Sequence, residues 1–172
     1  MRSFLMVLPF VVPTLCWAGD LAEGWRALGS INASLGDENL NLMVLAEPDG
    51  TPYAFQIDAG GPKIISIDAH VVTAAGTPGW PSLGVDLLTM GPVTMVQEVT
   101  FYRSGGSTAE AWMMQEGVGD AEISNGKLSD DGVFSGTLKA TLVPWNVSEG
   151  TEIPGEPKIS IEAAIESLIL PN

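Results

Sequence analysis

The stretch "VGDAEISNGKLSDDGVFSGTLKATL", residues 118–142, predicts the fold class of the chain. From Val133 to Leu142, apolar and polar side chains alternate, which is typical of a β-strand with one buried and one solvated face. Ser129–Gly132 is rich in turn-forming residues, and its glycine can adopt the positive φ that a tight bend needs. We therefore predict that Asp120–Leu128 and Val133–Leu142 are neighbouring antiparallel strands.

Asn125-Gly126 is a competing hairpin signal in the same stretch, and on its own it is the stronger one. A turn there would leave only Lys127–Ser129 before the next bend, which is too short for a strand. We interpret Asn125-Gly126 as a β-bulge or as the mouth of a wider loop. Whether Asp130 and Asp131 serve only the bend, or are presented to a metal ion, decides whether this stretch carries a site.

Period-two patterns recur along the rest of the chain. Turns rich in Gly, Pro and Asp separate these patterns, as in antiparallel sandwiches and barrels. The predicted strands are Gly29–Leu35, Leu40–Ala46, Pro52–Ala59, Lys63–Val71, Val85–Met90, Val93–Arg103, Thr108–Gln115, Gly119–Ser124 and Lys158–Ile165. The expected fold class is all-β, a single antiparallel β-sandwich or barrel of about 8–10 strands without an internal sequence repeat.

Helical segments are few, and we expect at most one or two short ones. Leu21–Leu28 is one candidate. Ala163–Leu170 is the other, because its apolar residues suit a helical period as well as a strand period. Pro/Gly composition predicts loops over Gly76–Gly84 and Val147–Pro157.

The amino terminus has the organisation of a secretory signal peptide. A short basic start precedes the apolar segment Phe4–Leu15, and small residues at Cys16 and Ala18 mark the expected cleavage site. We predict a signal peptide over residues 1–18 and a single β domain over residues 19–172. The alternative is a lipid-anchored Cys16, although the residues before it fit that signal poorly. A membrane span needs roughly 20 apolar residues, so we expect an exported protein, periplasmic or extracellular, with no stable membrane insertion.

Composition excludes several classes of function. Without residues 1–18 the chain has six basic and 21 acidic residues, a net charge of −15, and no cysteine. Such a surface repels phosphate backbones and anionic lipid headgroups, so we expect neither nucleic-acid nor peripheral membrane binding. The lack of cysteine excludes a thiol nucleophile and thiolate metal sites. In an exported domain it also favours a bacterial source.

The sequence offers no catalytic constellation. His70 is the only histidine, and no G-x-S-x-G motif accompanies it, so a serine triad is unsupported. The stretch "FQIDAGG", Phe55–Gly61, resembles the apolar-Asp-Thr/Ser-Gly loop of aspartic proteases, with Asp58 as the acid. Ala59 replaces the hydroxyl residue, and that chemistry needs a second carboxylate from another copy of the loop. We interpret the stretch as a strand end followed by a turn, and we predict no catalytic residue.

Carboxylates in predicted turns are candidate ligands for a hard metal ion. Asp120, Asp130 and Asp131 could hold a structural calcium ion, whose ligands are carboxylates and carbonyls on loops. They do not form the D-x-D-x-D-G pattern, and Asp is favoured in turns for backbone reasons alone. Transition metals have less support, since histidine-based sites normally use two or more histidines. Apart from this candidate calcium, the sequence predicts no cofactor.

Tryptophans are the most specific candidates for ligand binding. Trp80 lies in a predicted loop, Trp145 at a strand end and Trp112 on a strand, where an indole face can stack on a ligand. Packing is the alternative role for each of them. The leading hypothesis is a non-catalytic exported β domain that binds a protein or carbohydrate through loop residues. A hydrolase that uses Asp/Glu pairs and a purely structural envelope protein are the alternatives.

Overall fold

The computed structural model describes residues 20–105 and 110–171. The predicted signal peptide, Gly19 and the first residues of the strand predicted over Thr108–Gln115 lie outside these ranges. Within these ranges the chain forms β-strands and no helix. The described residues therefore include no helix that could span a membrane. The strands are β1 (Arg26–Leu35), β2 (Glu38–Ala46), β3 (Ala54–Asp58), β4 (Lys63–Val72), β5 (Pro78–Met90), β6 (Val93–Tyr102), β7 (Glu110–Met114), β8 (Asp120–Leu128), β9 (Val133–Asn146), β10 (Thr151–Glu152), β11 (Ile159–Leu168) and β12 (Leu170–Pro171).

Eight of these strands close into an antiparallel barrel. They pair in the order β1, β2, β4, β5, β6, β7, β9 and β11, and β11 pairs with β1 to complete the circle. The other four strands extend this wall: β3 pairs with β4, β8 and β10 pair with β9, and β12 lies parallel to β3. The all-β prediction is confirmed, and the structure is a barrel with additional strands.

The pairing scheme of the barrel repeats, although the sequence shows no repeat. In the first half β1 pairs with β2, and β4 pairs with β2, β3 and β5. In the second half β6 pairs with β7, and β9 pairs with β7, β8 and β11. Two five-strand units of the same pairing scheme are therefore joined edge to edge, by the β5–β6 and β11–β1 ladders.

The barrel interior is formed mainly by apolar side chains. On β4, Ile65, Ile67 and Ala69 are fully buried, whereas Ile64 and Asp68, on the opposite face, are exposed. Burying one large aliphatic side chain contributes roughly 1.5–3 kcal/mol, so this interior stabilises the fold. The outer face and the ends of the barrel are left to carry binding groups. The largest fully buried side chains are Phe101, Phe134, Ile31, Leu42, Leu45, Ile65, Ile67, Leu83, Leu87, Leu138, Leu142 and Val44.

The predicted β8–β9 hairpin is confirmed. Gly132 has a φ of 83°, and the amide of Ser129 donates to the carbonyl of Val133 at 2.9 Å across the bend. The ladder shifts register between Ser124 and Lys127, with Asn125 at a φ of 55°. Asn125-Gly126 is therefore a bulge inside β8. This agrees with the interpretation that the pair lies too close to the next turn to form a hairpin bend of its own.

Both candidate helices are wrong. In the segment predicted as a helix over 21–28, the amide of Trp25 donates to the carbonyl of Ala22 at 3.1 Å in a turn, and β1 begins at Arg26. In the segment predicted over 163–170, β11 runs on to Leu168 and pairs with β9 and β1. Burial along β11 alternates at every second residue. The strand period prevails there because both edges of β11 are filled by ladders.

The loop predicted over Gly76–Gly84 is also wrong, since β5 begins at Pro78. Gly79 pairs with β4 before a register shift in which Trp80 and Pro81 have no partner on that strand. Proline has no N–H to donate, and at this bulge the missing donor breaks no ladder hydrogen bond because Pro81 has no partner on β4. The Pro/Gly composition thus marks a bulge within a strand. The other predicted loop, Val147–Pro157, contains only the two-residue β10.

Candidate functional site

A groove of about 380 Å³ lies on the outer face of β4, β5 and β6. Because alternate residues of β4 fill the barrel interior, the residues between them face outward into this groove. Three cross-strand rows form its floor. The rows are Ser66–Asp86–Glu98, Asp68–Gly84–Thr100 and His70–Ser82–Tyr102.

Three acidic residues, Asp68, Asp86 and Glu98, line this groove. Loss of hydration in the groove, and then the negative charge of Asp86, raise the pKa of Asp68 to about 6. Asp68 is nevertheless an exposed residue. Its carboxylate is therefore partly desolvated by the groove but still in contact with solvent. Thr100 donates its hydroxyl to Glu98 at 2.9 Å. The groove is therefore an anionic surface, and the carboxyl group of Asp68 within it has a raised pKa.

Gly84 makes room for the Asp68 carboxylate. A Cβ atom at position 84 would lie 2.9 Å from Asp68 Oδ1, closer than side-chain carbons normally come. Gly84 is the register partner of Asp68, so the missing side chain is the one that would stand directly beside the carboxylate. The absence of a side chain at position 84 thus leaves the space that the Asp68 carboxylate occupies.

Aromatic rings form one wall of the groove. The ring of Trp80 lies 5.6 Å from that of Tyr102 and 6.3 Å from that of His70, both in edge-to-face arrangements. The row continues through Tyr53, 5.2 Å from His70, to Trp25. Edge-to-face aromatic pairs stabilise one another. Trp80 nevertheless keeps 47% of its surface exposed, so part of its indole is open to a ligand.

His70 and Tyr102 are polar members of this wall. His70 Nδ1 lies 3.3 Å from the carbonyl oxygen of Gly79, and burial lowers the pKa of His70. A carbonyl can only accept, so the neutral imidazole carries its proton on Nδ1 and presents Nε2 as an acceptor. Burial, and then the charges of Glu98 and Asp68, raise the pKa of Tyr102, which keeps its hydroxyl protonated.

The three predicted tryptophans lie on different strands. Trp80 belongs to the groove. Trp112 on β7 packs beside Phe101 at 6.2 Å, and its Nε1 donates to the carbonyl of Pro157 at 3.3 Å. Trp145 on β9 is half-buried and pairs with β7 and β10. Of the three, Trp80 alone is combined with the carboxylates of the β4–β6 groove.

The predicted metal ligands lie at opposite ends of β8. Asp130 and Asp131 are in the β8–β9 bend, where Asp131 accepts the hydroxyl of Ser129 and this bond lowers its pKa. Asp120 begins β8, roughly 27 Å away along a strand of this length. Across residues 20–105 and 110–171, no three His, Cys, Asp or Glu side chains are grouped as a metal site. Calcium binding by these residues stays a prediction.

Sequence reasoning missed the residues that give the groove its chemistry. The strand period places Asp68 on the polar face of β4, but nothing local pairs it with Asp86, Glu98 or Tyr102 on β5 and β6. The sequence predicts a strand end and turn at Asp58, and its Oδ1 accepts the amide of Gly60 at 2.9 Å in such a turn. Alternation identifies outward-facing residues, and only the register brings them together.

Two larger cavities lack aromatic residues. One, of about 640 Å³, lies over β8, β9 and β11 and contains Asp120, Glu122 and the ion pair between Lys139 and Glu162 at 3.6 Å. The other, of about 700 Å³, is at one end of the barrel. Volume is a weaker guide to binding than a convergence of different chemical groups, so we take the β4–β6 groove as the candidate site. No protein-family model, curated protein or solved structure matches this chain.

Proposed function

We propose that the protein is a non-catalytic exported binding domain whose β4–β6 groove holds a positively charged side chain of a protein partner. The observation that carries the proposal is that Asp68, Asp86 and Glu98 line one groove together with the half-exposed Trp80. Export is supported by the signal-like residues 1–18. The proposed binding surface is the outer face of three strands, whereas the sequence suggested binding through loop residues.

Charge favours a cationic ligand. The full chain has a net charge of −14, and a surface potential of that sign steers positively charged partners toward the protein. Within the groove a cation would relieve the repulsion between Asp68 and Asp86. A guanidinium group is the best match, because its fork of N–H donors can bond two carboxylate oxygens at once.

The aromatic wall favours the same ligand. A cation over the face of a tryptophan ring gains about 0.5–1 kcal/mol at exposed sites, and arginine does so more often than lysine. Trp80 offers this contact at the rim, and Tyr102 closes the same side of the groove at 5.6 Å from it. An arginine side chain could therefore stack on Trp80 and bond to the carboxylates below.

A second candidate function, carbohydrate hydrolysis, is favoured by the pKa of Asp68. A carboxyl whose pKa is raised to about 6 can act as a general acid near neutral pH. Asp68 and Asp86 are diagonal neighbours on adjacent strands, a relation that places side chains roughly 7–8 Å apart. That spacing is within the range of inverting glycosidases, and Trp80 could stack on a sugar ring.

Titration of the purified protein with a tetra-arginine peptide, followed by calorimetry, tests the leading proposal. We expect saturable binding that weakens about tenfold or more in Asp68→Asn and in Trp80→Ala, since tenfold corresponds to the loss of one strong contact. Glu122→Gln is the matched control, because it removes the same charge from the cavity over β8 and β9. Equal weakening in Glu122→Gln would show that only net charge attracts the peptide.

Soluble oligosaccharides test the second candidate. Release of reducing ends that stops in Asp68→Asn would establish hydrolysis, and binding of oligosaccharide without release would identify a carbohydrate-binding domain. If neither the peptide nor the sugars bind, the groove is a structural feature of the barrel.

A further inference from the structure

The mouth of the barrel beside the β3–β4 and β5–β6 turns contains unneutralised basic side chains. Its cavity of about 700 Å³ is lined by Lys63 and Lys127, in a chain that has only seven basic residues against 21 acidic ones. Neither lysine has a carboxylate within ion-pair distance in the described ranges, where the ion pairs are those of Arg103 and Lys139. A locally positive cavity therefore interrupts an acidic surface.

Threonine hydroxyls anchor the backbone beside each lysine. Lys63 is in register with Thr89, whose hydroxyl donates to the Lys63 carbonyl at 3.3 Å. Thr94 donates its hydroxyl across to the carbonyl of Gly126 at 3.5 Å, next to Lys127. These bonds tie β4 to β5 and β6 to β8, so the two lysines are carried by backbone that is fixed around one opening.

The β8 bulge borders the same cavity. Asn125 and Gly126 have no register partner on β9, and Asn125 has a φ of 55°. Both residues line the same cavity as the lysines. Successive amides in a left-handed bend form a concavity that binds anions. The backbone of this bulge therefore borders the cavity that the two lysines line.

The register partner of Lys63 on β3, Asp58, does not neutralise it. Asp58 Oδ1 accepts the amides of Gly60 at 2.9 Å and Gly61 at 3.4 Å, so this carboxylate is engaged by its own turn. The Asp58 carboxylate and the Lys63 ammonium lie more than 4.0 Å apart and form no ion pair. The positive charge of Lys63 is left for another partner.

We propose that this mouth binds a small oxyanion, a phosphate or carboxylate group, between Lys63 and Lys127. The ammonium groups supply the charge, and the amides of the Asn125-Gly126 bulge supply directed hydrogen bonds. The site is separate from the β4–β6 groove and does not depend on what that groove binds. Its ligand is of opposite charge.

Titration of the ¹⁵N-labelled protein with inorganic phosphate and with succinate, at constant ionic strength, tests this proposal by NMR. We expect saturable shifts at the amides of Asn125 and Gly126, and the tighter of the two probes identifies the oxyanion. Lys63→Gln and Lys127→Gln should each weaken binding about tenfold or more, as expected for loss of a charge-assisted hydrogen bond. The exposed Lys158→Gln should not weaken it.

Charge-conserving variants keep the test decisive if a glutamine variant does not fold. Lys63→Arg and Lys127→Arg should retain binding within a fewfold, because they preserve a cation at the mouth. Shifts that never saturate, or saturable binding that is unchanged by Lys63→Gln and Lys127→Gln, would overturn the proposal. Weakening of the same size in Lys158→Gln would also overturn it, since general charge would then explain the binding.

Discussion

Replacing Asp68 by asparagine should stabilise the protein at neutral pH and leave its stability unchanged in acid. Loss of hydration and the charge of Asp86 raise the pKa of Asp68 to about 6 from its ordinary value of 3.8. Between these values the native state binds the Asp68 proton more fully than the unfolded chain does. The free energy of unfolding therefore falls as the pH rises through this window, and the loss is complete above the native pKa. Below the unfolded pKa the carboxyl is protonated in both states and the term vanishes.

The size of the effect follows from the exposure of the side chain. For a fully buried group, a pKa raised from 3.8 to about 6 corresponds to about 3 kcal/mol. Asp68 is exposed, so screening by solvent reduces the effect to on the order of 1 kcal/mol. Asp68→Asn should therefore be about 1 kcal/mol more stable than the wild type near pH 7, and equal to it near pH 3.

Urea denaturation of the wild type, Asp68→Asn and the control Glu122→Gln, followed by tryptophan fluorescence at both pH values, measures this difference. An Asp68→Asn variant that is destabilised near pH 7, or stabilised equally at both pH values, would refute the argument that ionisation of Asp68 is costly. The tetra-arginine peptide adds a second check. If a guanidinium group occupies the groove, saturating peptide should abolish or reverse the advantage of the asparagine variant near pH 7, because the ionised carboxylate is then paired.

Three further predictions concern the bend, the metal and processing. Gly132→Val should lower the free energy of unfolding by on the order of 1–2 kcal/mol or more, because Gly132 has a φ of 83°. The double change Asp130→Asn and Asp131→Asn should cost little by the same urea assay, since asparagine keeps the turn chemistry; the reverse order would mean that the bend is a site. Calcium should shift the melting temperature no more than magnesium does, whereas a site occupied a hundredfold above its dissociation constant would add about 2.7 kcal/mol. Mass spectrometry of the exported protein should find Gly19 at its amino terminus, and a diacylated Cys16 would contradict the predicted cleavage.

The parts of the fold that were predictable from sequence are those set by local chemistry. The β8–β9 hairpin depends on residues fewer than 30 positions apart, and its bend and bulge carry their own turn residues. The closure of the barrel depends on β1 and β11, where Ala33 lies opposite Ala163. Nothing in either strand specifies that partner, because many apolar alternating segments could fill the same edge. Barrel and sandwich were therefore indistinguishable in the sequence.

The candidate site was unpredictable for a related reason. On β5 and β6, Asp86 pairs with Glu98 but the next residue, Leu87, pairs with Val96. This bulge shifts the register by one residue, and such a shift moves a side chain to the other face of the sheet. Whether Glu98 joins Asp68 in the groove is thus decided by a single extra residue on β6. The glycines and prolines around Trp80 predict a loop, although β5 already begins at Pro78.

The two proposed sites use opposite faces of one strand, and this arrangement makes their tests independent. Lys63 and Asp68 are five residues apart on β4, roughly 16 Å along an extended strand. An odd separation places their side chains on opposite faces, so Lys63 lies at the barrel mouth while Asp68 faces the outer groove. A small ligand in one site therefore contacts no residue of the other.

Asp68→Asn should leave phosphate and succinate binding unchanged, and Lys63→Gln should leave tetra-arginine binding unchanged apart from a small effect of net charge. If either change abolished binding at the other site, the oxyanion and the arginine would be occupying one shared site, and the separation inferred from the strand geometry would be wrong.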